Sequence, residues 1–212
     1  MRVGQTSAIY FIANIASSVL GFAATVYFTR TLDEGLLGRY FLVVAVLVWG
    51  TVVVGRPFQS AVTKRLSETD DEGYLTAGLI VQTGGFLFVA VLFGAFRGPV
   101  NQYLGVDAVG TLVALLFFTL GYKFVAAVLQ GERRMHIAAA LQPVNVGVRS
   151  IVQVGAVFLG FELLGLLTGY GIAVAIATAV GIVVLHSTPA RPTRRHFEQL
   201  LSFAKYSWLG KI

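Results

Sequence analysis

Asn145, Arg149 and Gln153 recur at four-residue intervals inside an otherwise apolar stretch. On a helix that spacing puts all three side chains on one face. A guanidinium is always charged, and its planar fork of donors matches the oxygens of a phosphate. The two neutral amides beside it suit hydroxyl groups, whether of a sugar or of a neighbouring helix. Lys123 falls in a second apolar stretch, and seven residues from its end means roughly 10 Å of depth at the helical rise. An arginine at the centre of a membrane costs about 2.5–3.5 kcal/mol on insertion scales. A partner, a water-filled cavity or an anionic ligand must offset that cost. No Asp or Glu lies inside the apolar stretches, and Glu162 is at a short turn between two of them. A salt bridge therefore does not account for both cations, whereas a phosphate group would. Arg56, next to Pro57, closes a further stretch at what would be an inner mouth. Asn14, Ser17 and Ser18 form a polar patch in the first stretch. The candidate substrate-binding residues are thus Arg149, Lys123, Gln153, Asn145, Arg56 and Asn14. Five of them also have a structural reading: interhelical hydrogen bonds for the stripe, snorkelling to the interface for Lys123, and packing for Asn14.

No catalytic constellation accompanies them. His136, His186 and His196 sit in or beside polar loops. There is no H-E-x-x-H, no phosphate-binding G-x-x-x-x-G-K-[ST] and no G-x-S-x-G. The chain has no cysteine, which excludes disulfides and thiolate metal sites. No catalytic residue, metal site or cofactor is expected. Glu68, Asp70, Asp71 and Glu72 cluster with Ser, Thr and Gly and read as a solvated loop.

The elements that hold these residues follow from composition. Of 212 residues, 56% are hydrophobic and only 12% charged, with a mean hydropathy of +0.78. A soluble domain has about 25% charged residues, so this chain belongs in a membrane. Six apolar runs are long enough to cross it: 7–28, 40–54, 77–96, 109–129, 138–159 and 163–185. They do not alternate as barrel strands do. The first is too long for a cleavable signal and contains Asn14. Pro143 falls in the first turns of the fifth, where a proline is tolerated. With the N-terminus inside, eleven basic residues lie inside and Arg30, Arg39 and Arg97 outside. That asymmetry places both ends of the segment in the cytoplasm, with the cell membrane as its location. It also explains the net charge of +6 without nucleic acid. After 186 come two prolines and three arginines, then Phe197, Leu200, Leu201, Ala204 and Trp208 at helical spacing. The expected fold is all-α: a bundle of six transmembrane helices over 1–186, then a loop and an amphipathic interfacial helix over 187–212. That last segment reads as an anchored tail or as the approach to a seventh helix.

Several stretches in combination resemble the oligosaccharide flippases of polysaccharide biosynthesis, within the multidrug/oligosaccharidyl-lipid/polysaccharide exporter superfamily. They are Ser17-Ser18-Val19-Leu20-Gly21-Phe22, Thr29-Arg30-Thr31-Leu32, Leu37-Gly38-Arg39-Tyr40, Gln130-Gly131-Glu132-Arg133-Arg134-Met135 and Leu201-Ser202-Phe203-Ala204-Lys205-Tyr206-Ser207-Trp208. The resemblance covers essentially the whole chain, as the N-terminal half of such a protein. It implies two six-helix bundles and alternating access. It also implies a polyprenyl phosphate or pyrophosphate sugar as substrate, with basic residues meeting its head group in a central cavity. Peptidoglycan-precursor flippases carry basic residues mid-way along helix one, where this chain has Ser18, Ala24 and Thr25. The implied partners are the lipid-linked sugar, membrane lipids, and a second six-helix half or second copy, since one bundle makes half of a translocation path. A cation-coupled exporter would want buried carboxylates. A membrane-embedded glycolipid enzyme would want a catalytic carboxylate, a serine–histidine pair or a metal set. A scaffold would tolerate leucine at Arg149.

Overall fold

The computed structural model describes the backbone of residues 3–69 and 71–209 and the side chains of 11–69 and 71–204. The expectations for Arg2, Asp70, Lys205, Trp208 and Lys211 lie outside the described side chains. Among the described residues the chain forms nine helices and no strand. They are α1 (Val3–Thr31), α2 (Glu34–Val54), α3 (Arg56–Glu68), α4 (Gly73–Ala95), α5 (Arg97–Leu104), α6 (Val109–Gly131), α7 (Met135–Phe158), α8 (Glu162–Val183) and α9 (Arg194–Leu209). The protein is an all-α multi-pass membrane protein. Five helices are long and apolar enough to cross a bilayer: the 11–31 part of α1, then α2, α4, α6 and α8. The expected remaining span, α7, has 24 residues, about 36 Å of helix, but its polar face lowers its hydropathy below theirs.

Three boundaries differ from the sequence reading. α2 begins at Glu34, because Asp33 is extended and its carboxylate accepts from the Gly35 N–H, a standard N-cap. Arg56 to Glu68 is a helix and not a loop, with Pro57 in its first turn, where no N–H is needed. α7 begins at Met135, so Pro143 lies in its interior and removes one backbone bond there. The Ser17 hydroxyl of α1 lies 3.4 Å from the Pro143 carbonyl.

α6 is the hub of the bundle, packing on α2, α3, α4, α7 and α8. Leu112, Leu116 and Val128 on it are fully buried. Phe11, Phe22, Trp49, Phe88, Val91 and Phe158 point outward, an apolar exterior suited to lipid. α7 and α8 approach closely at Gly169, where a Cβ would lie 2.7 Å from Gln153 Cγ. Small residues permit such approach between membrane helices.

The two ends of the bundle differ in charge. Arg30, Arg39 and Arg97 lie at one end, in helix termini rather than in loops. The other end carries Arg56, Lys64, Arg65, Arg133, Arg134, Arg191, Arg194 and Arg195 among the described side chains. Here the described acids of the expected solvated loop, Glu68, Asp71 and Glu72, have partners, and so does Glu132. Thr188 donates from its N–H and hydroxyl to Glu72. Glu132 accepts from the His186 and Ser187 N–H groups and the Ser187 hydroxyl. Burial pushes the Glu132 carboxyl up, but these donors and Arg134 together hold it below the ordinary range. His196 Nε2 is 2.9 Å from Asp71 Oδ2. The Gly73 N–H, followed by His196, holds Asp71 low. α9 is amphipathic, and its Leu200 and Ala204 are buried where it packs on α3 and α4.

Candidate functional site

A cavity of about 580 Å³ opens between α3 and α6. Its α3 wall presents Arg56, Ser60, Thr63, Lys64 and Ser67, residues that fall on one face because helical neighbours recur every three or four positions. Its α6 wall presents Tyr122, Lys123, Ala126, Ala127 and Gln130 for the same reason. Three cations therefore line one space, and none of the lining residues is acidic. Glu68 reaches Lys64 at 3.8 Å, but that pair is exposed and such pairs contribute little.

Local packing aims these groups. Lys123 Nζ donates to Thr51 Oγ1 of α2 at 3.0 Å, which holds the ammonium in place within the bundle. Gln59 of α3 donates to Gln82 of α4 at 2.9 Å, and Gln82 donates to the Leu120 carbonyl of α6. This chain of amides pins the three helices around the cavity. Lys64 also lies 4.8 Å over the Phe203 ring of α9, an arrangement that favours a cation. Lys123 is half-buried and, like Arg56, is in no ion pair among the described residues, and cations so placed suit an anion.

Arg56 and Lys123 are thus brought together, and the structure adds Lys64, Gln59 and Tyr122 to them. Asn145, Arg149 and Gln153 do share one face of α7, but none of them lines this cavity. Gln153 is 3% exposed and donates to the Tyr40 hydroxyl and the Leu166 carbonyl, at 3.0 and 2.6 Å. Its amide nitrogen is committed to joining α2, α7 and α8. Arg149 is half-buried and lies 5.4 Å over the Tyr170 ring of α8. None of the ion pairs among the described residues includes Arg149. Asn145 has its Oδ1 buried without a hydrogen-bond partner. Asn14 is on the exposed face of α1, beside Phe11, Ile15 and Ser18, apart from both groups.

The sequence as a whole has counterparts among known proteins. Residues 3–210 match the family described as polysaccharide biosynthesis protein. The chain belongs to that family. Among proteins it is similar to, "Probable flippase AglR" of Haloferax volcanii is 26% identical over 217 residues. "Probable low-salt glycan biosynthesis flippase Agl15" of the same organism is 28% identical over 219 residues. Both alignments cover 100% of this chain and 45% of the relative. The chain therefore spans about half the length of the curated relatives it matches. No solved structure matches it.

The family is legible in the combination of short stretches, since each is loose alone. Lys64 is hidden from the sequence because α3 is too polar to stand out as a helix. Its signal was the recurrence of Arg56, Ser60, Thr63 and Ser67 behind a proline, which is a helix start followed by one polar face.

Proposed function

We infer that the chain forms the N-terminal bundle of a flippase for glycan or polysaccharide biosynthesis. Its substrate is a lipid-linked oligosaccharide carried on a polyprenyl phosphate or pyrophosphate. The protein is a transporter, not an enzyme, and lies in the cell membrane with the cation-rich end in the cytoplasm. The observation that carries this reading is the cavity lined by Arg56, Lys64 and Lys123 with no acidic lining residue. A phosphate head group would neutralise those charges, while Gln59, Ser60 and Thr63 offer neutral hydrogen bonds to the first sugar. The polyprenyl tail would stay in the hydrocarbon. A bundle like this makes one wall of an alternating-access path, with α7 as the sixth span; a second six-helix half, or a second copy, makes the other. The names of the two relatives support this reading: both are called probable flippases, and one is assigned to low-salt glycan biosynthesis.

The test is flipping of a fluorescent lipid-linked sugar in vesicles holding the full-length protein. Lys123→Gln and Arg56→Gln each remove a charge-assisted bond to the head group, and each is expected to slow flipping by roughly tenfold or more. Flipping at the unaltered rate in both variants would remove this cavity from the transport path.

A further inference from the structure

Arg149 stands apart from the basic cavity and is deeper in the bundle. Lys123 is eight residues from the polar end of α6, about 12 Å along the helix, and Arg149 is fourteen residues from the same end of α7, about 21 Å. One residue belongs to both regions. Tyr122 lines the basic cavity, and its hydroxyl is 3.2 Å from Gln142 Oε1 on α7. From Gln142 the same helix face continues to Asn145 and then to Arg149, at intervals of three and four residues. Gln142 is exposed, and Asn145 and Arg149 are half-buried. The polar face is therefore open where it meets the cavity and becomes enclosed as it deepens. It ends at Gln153, whose amide nitrogen is already shared between Tyr40 and Leu166.

Two groups on this face lack what burial ordinarily demands. Asn145 Oδ1 is a buried acceptor without a donor, and buried polar atoms are normally hydrogen-bonded. Arg149 has the Tyr170 ring beneath it and no carboxylate in any described ion pair. A ligand with both an anionic oxygen and hydroxyl donors satisfies both at once. A phosphate ester of a sugar has those groups. Interhelical bonding accounts for Gln153 and reaches Asn145 from Tyr122, but it leaves Asn145 Oδ1 without a donor and Arg149 without a carboxylate.

We propose that Arg149, backed by Tyr170, is a second and deeper anion station, reached from the basic cavity along Tyr122, Gln142 and Asn145. The cavity with its three cations captures the phosphate. Arg149 then receives it part-way across with one charge, a weaker hold from which release is easier. Tyr122 is a positioning residue at the junction, and Asn145 accepts a sugar hydroxyl on the way. The proposal rests on the flippase reading and divides labour within it.

The test uses the full-length protein and two measurements on the same preparations. Equilibrium binding is read with geranylgeranyl pyrophosphate in detergent, and flipping with a fluorescent lipid-linked sugar in vesicles. Lys123→Gln should weaken both by roughly tenfold. Arg149→Gln should leave binding within about twofold and slow flipping by roughly tenfold, with partial recovery in Arg149→Lys. Tyr122→Phe removes only an oxygen, and it should slow flipping severalfold while weakening binding less than Lys123→Gln does, even if Arg149→Gln does not fold. Equal losses of binding in Arg149→Gln and Lys123→Gln would overturn the proposal by making one site of the two. Unchanged flipping in Tyr122→Phe, or in a folded Arg149→Gln, would also overturn it. An unaltered protein that neither binds nor flips these probes would instead overturn the flippase reading itself.

Discussion

Gly169→Ala tests how tightly α7 and α8 are held together. The new Cβ would lie 2.7 Å from Gln153 Cγ, 3.1 Å from its backbone nitrogen and 3.3 Å from its Cα. The first contact can yield by a side-chain shift, but the other two are with backbone, so the helices must part. Overpacking of this kind costs about 1–3 kcal/mol. Displacing Gln153 also weakens its bonds to Tyr40 and Leu166, at roughly 0.6 kcal/mol each in a membrane interior. Replacing a helical glycine by alanine returns about 1 kcal/mol. The expected net effect is a destabilisation of about 1–3 kcal/mol. Gly155→Ala on α7 is the control, because its Cβ would meet nothing within 4 Å, and it should be neutral or stabilising by up to about 1 kcal/mol. Gln153→Ala removes the Cγ that Gly169→Ala strikes, so the double variant should lose less than the two single losses combined. Reversible unfolding of the purified protein in mixed micelles measures all four. Gly169→Ala as stable as Gly155→Ala would mean that α7 and α8 have room to spare at Gly169.

Two further outcomes concern the ends of the bundle. Glu132 is held below the ordinary glutamate value of 4.5, so its contribution is complete above that pH and is lost as pH falls through the lower folded value. Glu132→Gln should therefore flatten the acid limb of a stability–pH curve measured below pH 4.5, and an unchanged limb would exclude it as a source. The native chain has no cysteine, so single cysteines report orientation cleanly. Gly98→Cys should react with an impermeant maleimide in intact cells and Ser202→Cys only after permeabilisation; the reverse pattern would invert the bundle.

The spanning helices were legible because apolar runs of this length have few alternatives. The start of α2 was obscured by Glu34 and Arg39, charges that a helix end carries into the interface without ceasing to be helical. α3 was illegible for a related reason. Its buried residues, among them Ala61 and Val62, are too few to look apolar, and they pack against α4 and α6 in a way that only the assembled bundle supplies. At the site, spacing placed Asn145, Arg149 and Gln153 on one face but could not divide them. The division comes from Tyr40, 113 residues away in the chain, which takes Gln153 into the packing. Likewise nothing local ties Lys123 to Thr51, 72 positions earlier.

Lys64 belongs to two assemblies at once. It helps line the basic cavity, and it lies over Phe203 on α9. An anion drawn into the cavity competes with that ring for the same charge. Thermodynamic reciprocity then sets a condition: whatever factor α9 docking applies to anion affinity, anion occupancy applies to α9 docking. The seam between α3 and α9 is thus a gauge as well as a fastening, since its tightness registers at the surface whether the interior is loaded or empty.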